Sequence, residues 1–402
     1  MTDGPNWTEP ETFARALERA DTMAKGNCFE DFAAGDVIEH DPGLTLTRWG
    51  NEAWMSQTLN HDPAYWRTDA ARERGFDGPP IHPDYLTAAT LGITVEDLSE
   101  KGGYFLGRTD VRFPGAPVSP GTELRVESEV VDATASNSRP QYGIVTWRTR
   151  GRDAETDEVL CSYERTNMIP RRESPETDGG EAGTREDGEA GMDGNAGAGT
   201  DGERSDDDTP ALPEEFVSPD GGYFEDFVAA LEAAEGRDAA VAYRHERGRT
   251  QDDVTVASLP LSTLNTAKQH HNADAMADSP SGGIVAYGDV TRSTALGHAR
   301  SDERTWRELG FDDERFHAFV GPGDTVYAFT RVLEADADGT TLLESDARLP
   351  ANVADRLSSE NAGLVRFEHV AFNQRDEPVY SGTRTAAIRT RPREDDATTR
   401  HR

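Results

Sequence analysis

Apolar and polar residues alternate over four stretches in the first half of the chain, as they do in strands that bury one face. The stretches are residues 104–113, 122–131, 142–151 and 158–169, and turn-forming residues separate them. Residues 83–98 come before them and have an almost uncharged middle of Ala, Thr, Leu, Gly and Ile, which predicts a buried helix. A buried helix followed by antiparallel strands predicts an α+β domain.

The second half repeats the landmarks of the first in the same order. The runs Phe-Glu-Asp-Phe, Thr-Leu-Asn and Arg-Phe occur at residues 29–32, 58–60 and 112–113, and again at residues 224–227, 263–265 and 315–316. The residue numbers differ by 205 at the second landmark and by 203 at the third, so few gaps are needed. Further strands are predicted over residues 324–335, 340–349, 363–374 and 377–390. The repeats indicate an internal duplication.

Residues 171–215 separate the two repeats and differ from them in composition. Gly, Glu, Asp and Ala dominate, and aromatic residues, Val and Ile are absent. Such a segment cannot bury enough apolar area to offset the loss of chain entropy, so it is predicted to be a disordered linker. The predicted organisation is an N-terminal domain over residues 1–170, with an amphipathic helix at residues 10–25, then this linker, and a C-terminal domain over residues 216–402.

The charge of the chain excludes several classes of partner. Its 402 residues include 76 acidic and 41 basic side chains, and the net charge of −35 repels nucleic acids and anionic membranes. No apolar run approaches the roughly 20 residues of a membrane helix, and Cys28 and Cys161 are too few for a disulfide framework. We therefore predict a protein of the cytoplasm that binds neither membranes nor nucleic acids. Acidic residues occur throughout both halves, which favours the cytosol of a halophile over an acidic interaction surface.

Residues 264–297 contain the candidate chemistry. Asn265 and His270 stand five residues apart, and Tyr287-Gly288 begins a small-residue helix 22 residues after Asn265. Glycine permits a close approach of the backbone, and the first amides of a helix have no carbonyl partner within it. This arrangement predicts a polar cluster beside the mouth of a helix.

The first half has the same frame with different side chains. Asn60 and Tyr65 are also five residues apart, and His82-Pro83 follows Asn60 by 22. This doubled frame resembles the MaoC-like family, whose pattern is Asp-x-Asn-Pro-hydrophobic-His followed by His-Gly at the start of a helix, although neither half keeps that pattern intact. The resemblance implies a double hotdog, in which two curled antiparallel sheets each wrap round a central helix and join edge to edge. It also implies the hydration of an enoyl thioester of coenzyme A.

Within the MaoC-like family, the chain looks most similar to the mesaconyl-CoA hydratases, also called 2-methylfumaryl-CoA hydratases or β-methylmalyl-CoA dehydratases. The run Leu264-Asn265-Thr266 resembles the Leu-Asn-Thr of those enzymes, and the acidity agrees with halophilic archaea, where they serve the methylaspartate cycle of acetate assimilation. The resemblance implies a hydro-lyase that adds water reversibly to mesaconyl-CoA. It implies an acyl-CoA substrate, no metal and no redox cofactor, and leaves the pairing of chains into a homodimer open.

The resemblance places the chemistry in the second half. His270 keeps the imidazole of the family and Asn265 occupies the place of its carboxylate, whereas Tyr65 and Asn60 in the first half are poor bases at neutral pH. We therefore predict that His270 is the central catalytic residue, that Asn265 positions water, and that the Gly288 amide contributes to an oxyanion hole.

The Asn at position 265 leaves the role of the family carboxylate open. An amide cannot accept a proton as Asp does, so either His270 acts alone as acid and base or Asp62 or Asp274 enters. Asp274 lies four residues after His270, which is about one helical turn. Lys268 stands where the family has Pro and would suit a substrate with a free carboxylate; an ordinary surface lysine is the alternative.

Other polar residues are candidates for substrate binding together with Asn60 and Asp62. Arg292 stands in a helix predicted to be buried, where a charge needs a partner. A substrate carboxylate or a coenzyme A phosphate is one candidate, and an internal salt bridge is the more common alternative. His61 and His82 either line the tunnel for the pantetheine arm or are hydrogen-bonded near the end of a helix, and the second interpretation is favoured.

A metal site is not predicted at His270-His271. Adjacent imidazoles on a helix point to different faces, and no further His or Cys stands at ligand spacing. Three rival functions remain open on the same scaffold. They are an R-specific enoyl-CoA hydratase, an acyl-CoA thioesterase, and a non-catalytic protein that binds acyl-CoA.

Overall fold

The computed structural model describes residues 5–114, 117–172, 211–346 and 353–392. Most of the predicted linker, residues 173–210, therefore lies outside the described residues. The strands of the first half are β1 Val37–Thr45, β2 Tyr104–Arg112, β3 Glu123–Ala135, β4 Tyr142–Asp153 and β5 Val159–Pro170. Those of the second half are β6 Glu215–Val217, β7 Ala239–Arg244, β8 Arg249–Thr250, β9 Thr305–Phe316, β10 Thr325–Asp336, β11 Ala362–Phe372 and β12 Pro378–Arg389.

The helices follow the same division. Those of the first half are α1 Pro10–Leu17, α2 Arg48–Gln57, α3 Thr68–Glu73, α4 Pro83–Ile93 and α5 Val95–Leu98. Those of the second half are α6 Phe224–Ala234, α7 Asp253–Ser262, α8 Ala273–Met276, α9 Gly288–Asp302, α10 Thr340–Ser345 and α11 Ala354–Leu357. Among them, α4 and α9 are the central helices, since the side chains along most of each are buried.

The two halves form equivalent parts of one sheet, related by an approximate two-fold rotation. The strand order is β1-β3-β4-β5-β2 in the first half and β9-β12-β11-β10-β7-β6 in the second, and β2 pairs antiparallel with β9 where the halves meet. Each half curls round its central helix, so the predicted double hotdog is confirmed. Because β2 and β9 are equivalent strands in the duplicated chain, the seam lies on a pseudo-two-fold axis.

The central helices hold the halves together by close backbone contacts. A Cβ added to Gly92 of α4 would lie 2.1 Å from the Thr263 carbonyl oxygen, and one added to Gly297 of α9 would lie 2.2 Å from the Thr58 carbonyl oxygen. A side chain at either position would therefore clash with the main chain of the other half. One hydrophobic core cluster also contains buried residues of both halves. Its members include Trp54, Tyr287, Phe311, Leu46, Tyr85, Leu91, Val111, Tyr163, Leu259 and Leu296.

Two sequence predictions need correction, and one strand was missed. The strand predicted over residues 340–349 is wrong where the structure describes it, because α10 occupies residues 340–345. Asp336 accepts hydrogen bonds from the Gly339 and Leu342 amides at the start of this helix. Strand β9 was not predicted at all. The leading helix ends at Leu17 rather than residue 25, and none of its side chains is buried.

No helix within the described residues is both long enough and apolar enough to cross a membrane.

Candidate active site

A cavity of about 110 Å³ lies where the halves meet, and both halves form its wall. The second half contributes Asn265, His270 and Gly288, which are the three residues predicted from the sequence to work together. The first half contributes Arg165 and Asn167 from β5, which the sequence did not single out. The candidate site is therefore composite, and neither half contains it alone.

The chain after α7 turns sharply to bring Asn265 to the cavity. Leu264 has a φ of 61°, in the left-handed region that a branched residue rarely adopts, and the Asn265 amide donates to the Pro260 carbonyl at 3.0 Å. The first half repeats this strain, since Leu59 has a φ of 56° immediately before Asn60. Strain held in both copies indicates that the turn has a positioning role for the Asn.

His270 is buried in the cavity wall, at the end of a short 3-10 turn that follows Asn265. Its Nδ1–H donates to the Val285 carbonyl at 2.8 Å, so Nε2 carries the lone pair that can accept a proton. The Gln269 side-chain NH₂ group lies 3.4 Å from Nε2 and donates to that lone pair in a long hydrogen bond. Burial lowers the pKa of His270 to about 4, although the hydrogen bond to Val285 acts in the opposite direction. The imidazole is therefore neutral near pH 7, as a general base must be.

The donors around His270 face the same cavity. The Asn265 carbonyl oxygen accepts the Ala267 amide at 3.1 Å, so the NH₂ group is the part of this side chain that can act on water. Gly288 is the first residue of α9, where backbone N–H groups lack partners within the helix and the helix dipole is positive. A Cβ at Gly288 would lie 2.8 Å from the Phe316 ring, so any other residue here would require that ring to shift.

The equivalent frame in the first half is closed by internal contacts. Asn60 Nδ2 lies 2.9 Å from His82 Nε2, and His82 Nδ1 accepts the Asp84 amide at 3.1 Å. The Tyr65 ring packs against His82 with 4.5 Å between centroids, and burial lowers the pKa of His82 to about 3. His82 is therefore hydrogen-bonded near the start of a helix, which is the interpretation that the sequence favoured. The imidazole and the phenol have exchanged places relative to His270 and Tyr287.

Arg292 forms internal salt bridges, which was the alternative to a contact with substrate. Its Nη1 lies 2.9 Å from Asp84, and its Nε is bonded to Glu314. Glu314 also accepts from Arg108 Nε at 2.7 Å, while the two terminal nitrogens of Arg108 hold Asp289. All these side chains are buried, so Arg292 belongs to an ion cluster that crosses the seam. The proposed contact with substrate is corrected accordingly: Nη1 and Nε of Arg292 hold carboxylates, its Nη2 is buried without a hydrogen-bond partner, and the side chain does not line the cavity that contains His270.

The remaining candidates lie outside the inner cavity. Both terminal nitrogens of Arg74 hold Asp62, at 2.7 and 2.6 Å, in a separate cleft that His61 also lines. Asp274 is exposed on α8. Neither carboxylate lines the cavity that holds His270, so the structure does not bring them together with the imidazole. Their predicted roles have no geometric support.

Lys268 is exposed and lies in an outer cleft that shares a wall with the inner cavity. This outer cleft has a volume of about 510 Å³ and is lined by Lys25, Lys101 and Lys268. These are the only lysines in the sequence. In a chain with a net charge of −35, the cleft is an unusual concentration of lysine next to the candidate site.

One signal in the sequence could have identified Arg165. It stands at an inward position of a strand whose alternation was predicted, where a charged side chain needs a buried partner. Its proximity to His270, by contrast, depends on how the two halves join. Within the described part of the chain, no group of three or more His, Cys, Asp or Glu side chains is arranged to hold a metal ion.

Comparisons with known proteins identify the family and the fold of this chain. A family model described as mesaconyl-CoA hydratase matches residues 6–390. The mesaconyl-CoA hydratase of Haloarcula marismortui is 60% identical over 396 residues, which cover 96% of this chain and 99% of that protein. Among solved structures, a MaoC domain protein dehydratase from Chloroflexus aurantiacus has a TM-score of 0.69 at 20% identity, covering 92% of this chain and all of that one. A double-hotdog protein from Mycobacterium tuberculosis has a TM-score of 0.61 at 22% identity, covering 90% and 98%.

Proposed function

Because this chain belongs to the mesaconyl-CoA hydratase family, we propose that it adds water reversibly to mesaconyl-CoA and so forms β-methylmalyl-CoA. The observation that carries this proposal is the buried imidazole of His270, held through Nδ1 by the Val285 carbonyl, in a cavity beside the start of α9. A base, a donor for water and a donor for a developing oxyanion are the three parts that hydration of an enoyl thioester needs.

His270 is the base in the proposed reaction. A water accepts a hydrogen bond from the Asn265 NH₂ group and gives a proton to His270 Nε2, while its oxygen adds to C3, the alkene carbon that bears the substrate carboxylate. The electron pair of the double bond moves towards the thioester, and negative charge develops on its carbonyl oxygen. The Gly288 N–H and the positive end of the α9 dipole stabilise that charge.

The reaction closes without another protein carboxylate. The imidazolium of His270 returns its proton to C2, so the hydroxyl and both hydrogens of the water end in the product and the enzyme returns to its starting state. This route accounts for Asn at position 265, because a single residue acts as base and then as acid. The proposed reaction forms one C–O bond and transfers protons without net oxidation or reduction, and it requires no metal or redox cofactor.

The outer cleft suits the coenzyme A part of the substrate. Its lysines offer three cationic groups that can hold phosphates, and Lys25 is oriented by Glu96 at 2.6 Å. We propose that the nucleotide lies there while the pantetheine arm passes inwards to the cavity. Lys268 then acts on phosphate rather than on the substrate carboxylate.

We further propose the cytoplasm of a halophile as the setting, with the substrate supplied by the methylaspartate cycle of acetate assimilation. Acidic residues throughout the chain support this, since strong self-repulsion is screened within a few ångströms in molar salt. A homodimer is the proposed assembly, and sedimentation in molar KCl measures it.

The test is to incubate the purified protein with mesaconyl-CoA in molar KCl and follow the enoyl absorbance and free thiol together. Loss of absorbance without thiol release is expected; thiol release would indicate a thioesterase, and faster turnover of crotonyl-CoA would indicate an R-specific enoyl-CoA hydratase. His270→Ala should lower kcat by about 10²–10⁴-fold. His271→Ala is the matched control, because the adjacent His271 bonds to the Thr266 carbonyl and does not line the cavity. Thioester binding without turnover in the unaltered protein would contradict the proposal.

A further inference from the structure

Arg165 is a buried cation that faces the candidate site without a carboxylate partner. It is only 1% exposed, it lines the cavity with His270, and its Nε and Nη2 have no hydrogen-bond partner among the described residues. Asp289, a carboxylate of the same cavity wall, is held by the terminal nitrogens of Arg108. A buried guanidinium left unpaired is costly, so an anion that enters this cavity would be strongly attracted to it.

The duplication supplies an internal comparison for Arg165. In the first half, Arg165 pairs across the ladder with Trp147, and in the second half Arg384 pairs in the same way with Phe367. Each guanidinium lies over its aromatic neighbour at 5.3 Å from the ring centroid. Arg165 and Arg384 are therefore equivalent residues of the two copies.

The two copies differ in whether this arginine has carboxylate partners. Arg384 binds Glu308 through Nε and Nη2 at 2.8 and 2.9 Å, and Glu303 through Nη1 at 2.6 Å. These carboxylates lie on or beside β9 of the same half, and all three side chains are buried. In the second copy, protein carboxylates thus neutralise the arginine completely.

The register of the strands identifies what replaces Glu308 in the first copy. Glu308 pairs with Ala386, two residues after Arg384, and Phe105 pairs with Asn167, two residues after Arg165. The same irregularity of the ladder follows each pair. Phe105 therefore stands where Glu308 stands, and it lines the cavity with an apolar ring. The carboxylate of one copy is missing from the other, and a cavity is found there instead.

We propose that Arg165 binds the free carboxylate of the substrate, which takes the place that Glu308 has in the other copy. This inference rests on the proposed function and adds the residue that selects dicarboxylate thioesters. In mesaconyl-CoA the carboxylate is attached to C3, the carbon that receives the hydroxyl group. Binding it to Arg165 would therefore place C3 beside the water held at His270, so the same contact gives affinity and position.

The first experiment compares binding of two saturated thioesters to the whole chain in molar KCl. 2-Methylsuccinyl-CoA carries the carboxylate, and 2-methylbutyryl-CoA has a methyl group in its place. The unaltered protein should bind the first about 100-fold more tightly or better, as expected for a carboxylate meeting a buried cation. Equal affinities would overturn the inference, and this measurement needs neither turnover nor a folded variant.

Two variants then assign the preference to Arg165. Arg165→Met should abolish the preference while leaving affinity for 2-methylbutyryl-CoA within about threefold, which also shows that the site is folded. Phe105→Glu should abolish it as well, because it recreates the Glu308 arrangement and neutralises Arg165 internally. Lys268→Met is the matched control, and it should weaken both thioesters by a similar factor because Lys268 lies in the outer cleft.

The outcomes separate this inference from the proposed function. If the unaltered protein hydrates mesaconyl-CoA but Arg165→Met retains the preference, the inference fails and the function stands. If Lys268→Met alone loses the preference, the carboxylate is bound in the outer cleft and the inference fails. If the preference depends on Arg165 but no hydration occurs, the inference stands and the proposed function fails.

Discussion

Replacing Glu314 by Gln should lower the free energy of unfolding by about 3 kcal/mol, because Glu314 is a central acceptor of the ion cluster at the seam. Its side chain is fully buried and accepts from Arg108 Nε and the Tyr380 hydroxyl, each at 2.7 Å, and from Arg292 Nε. Gln preserves the shape but removes the charge and turns an NH₂ group towards donors.

The magnitude follows from what remains after the substitution. Loss of one partner of a buried ion pair costs about 3–5 kcal/mol. Arg108 keeps Asp289 and Arg292 keeps Asp84, so neither guanidinium loses every carboxylate and the lower end of that range applies. The effect should persist in molar salt, since buried charges are screened far less than exposed ones.

Denaturant-induced unfolding at two fixed KCl concentrations measures this difference. The control is Glu368→Gln, which removes the partner of Arg331 in a pair whose side chains are 32% and 47% exposed. That substitution should change the free energy of unfolding by less than about 1 kcal/mol, and the change should shrink as salt rises. If Glu314→Gln were no more destabilising than Glu368→Gln, the buried cluster would not hold the halves together as argued.

Three further predictions follow from single residues. Turnover should stay level from neutral pH down to about 5 and fall as the pH approaches 4. The reason is that burial lowers the pKa of His270 to about 4, and only the neutral imidazole is a base. An acid limb near pH 6.5 in pH–rate measurements would contradict this. Burial raises the pKa of Glu308, but Arg300 and Arg384 outweigh that effect and lower it from 4.5 to about 2. The contribution of Glu308 to the free energy of unfolding should therefore be complete above about pH 4.5 and disappear as the pH falls towards 2. Glu308→Gln should flatten that part of the stability profile. Gly297→Ala should destabilise by about 1–3 kcal/mol in thermal or denaturant unfolding, whereas Gly283→Ala, with open space around its Cβ, should not.

The sequence predicted best those strands that bury one face only. β3 and β4 alternate regularly between buried and more exposed positions, and this alternation was visible as apolar and polar residues. β9 lacks that signal because consecutive residues from Leu309 to Phe311 are all buried, and because Glu308 is a buried charge. Its structure depends on partners in other strands, which the sequence of β9 alone does not contain.

The site shows the same limit. Asn265, His270 and Gly288 lie within 24 residues and share one local frame, so their spacing predicted that they meet at one cavity. Arg165 precedes His270 by 105 residues and reaches the cavity only because β2 and β9 join the halves. For Arg292, the helix pattern predicted burial correctly, but the choice between substrate and an internal carboxylate required the position of Asp84 in the other half.

A duplicated chain can use its two copies differently, which a symmetric dimer of identical subunits cannot do, because there every substitution appears at both sites. Here one copy fills the space beside its arginine with Glu303 and Glu308, and that saturated cluster stabilises the fold. The other copy has Phe105 at the position of Glu308 and leaves Nε and Nη2 of Arg165 without hydrogen-bond partners, and in our proposal these donors bind an anion. The same strand position thus contributes to stability in one half and, in our proposal, to substrate selection in the other.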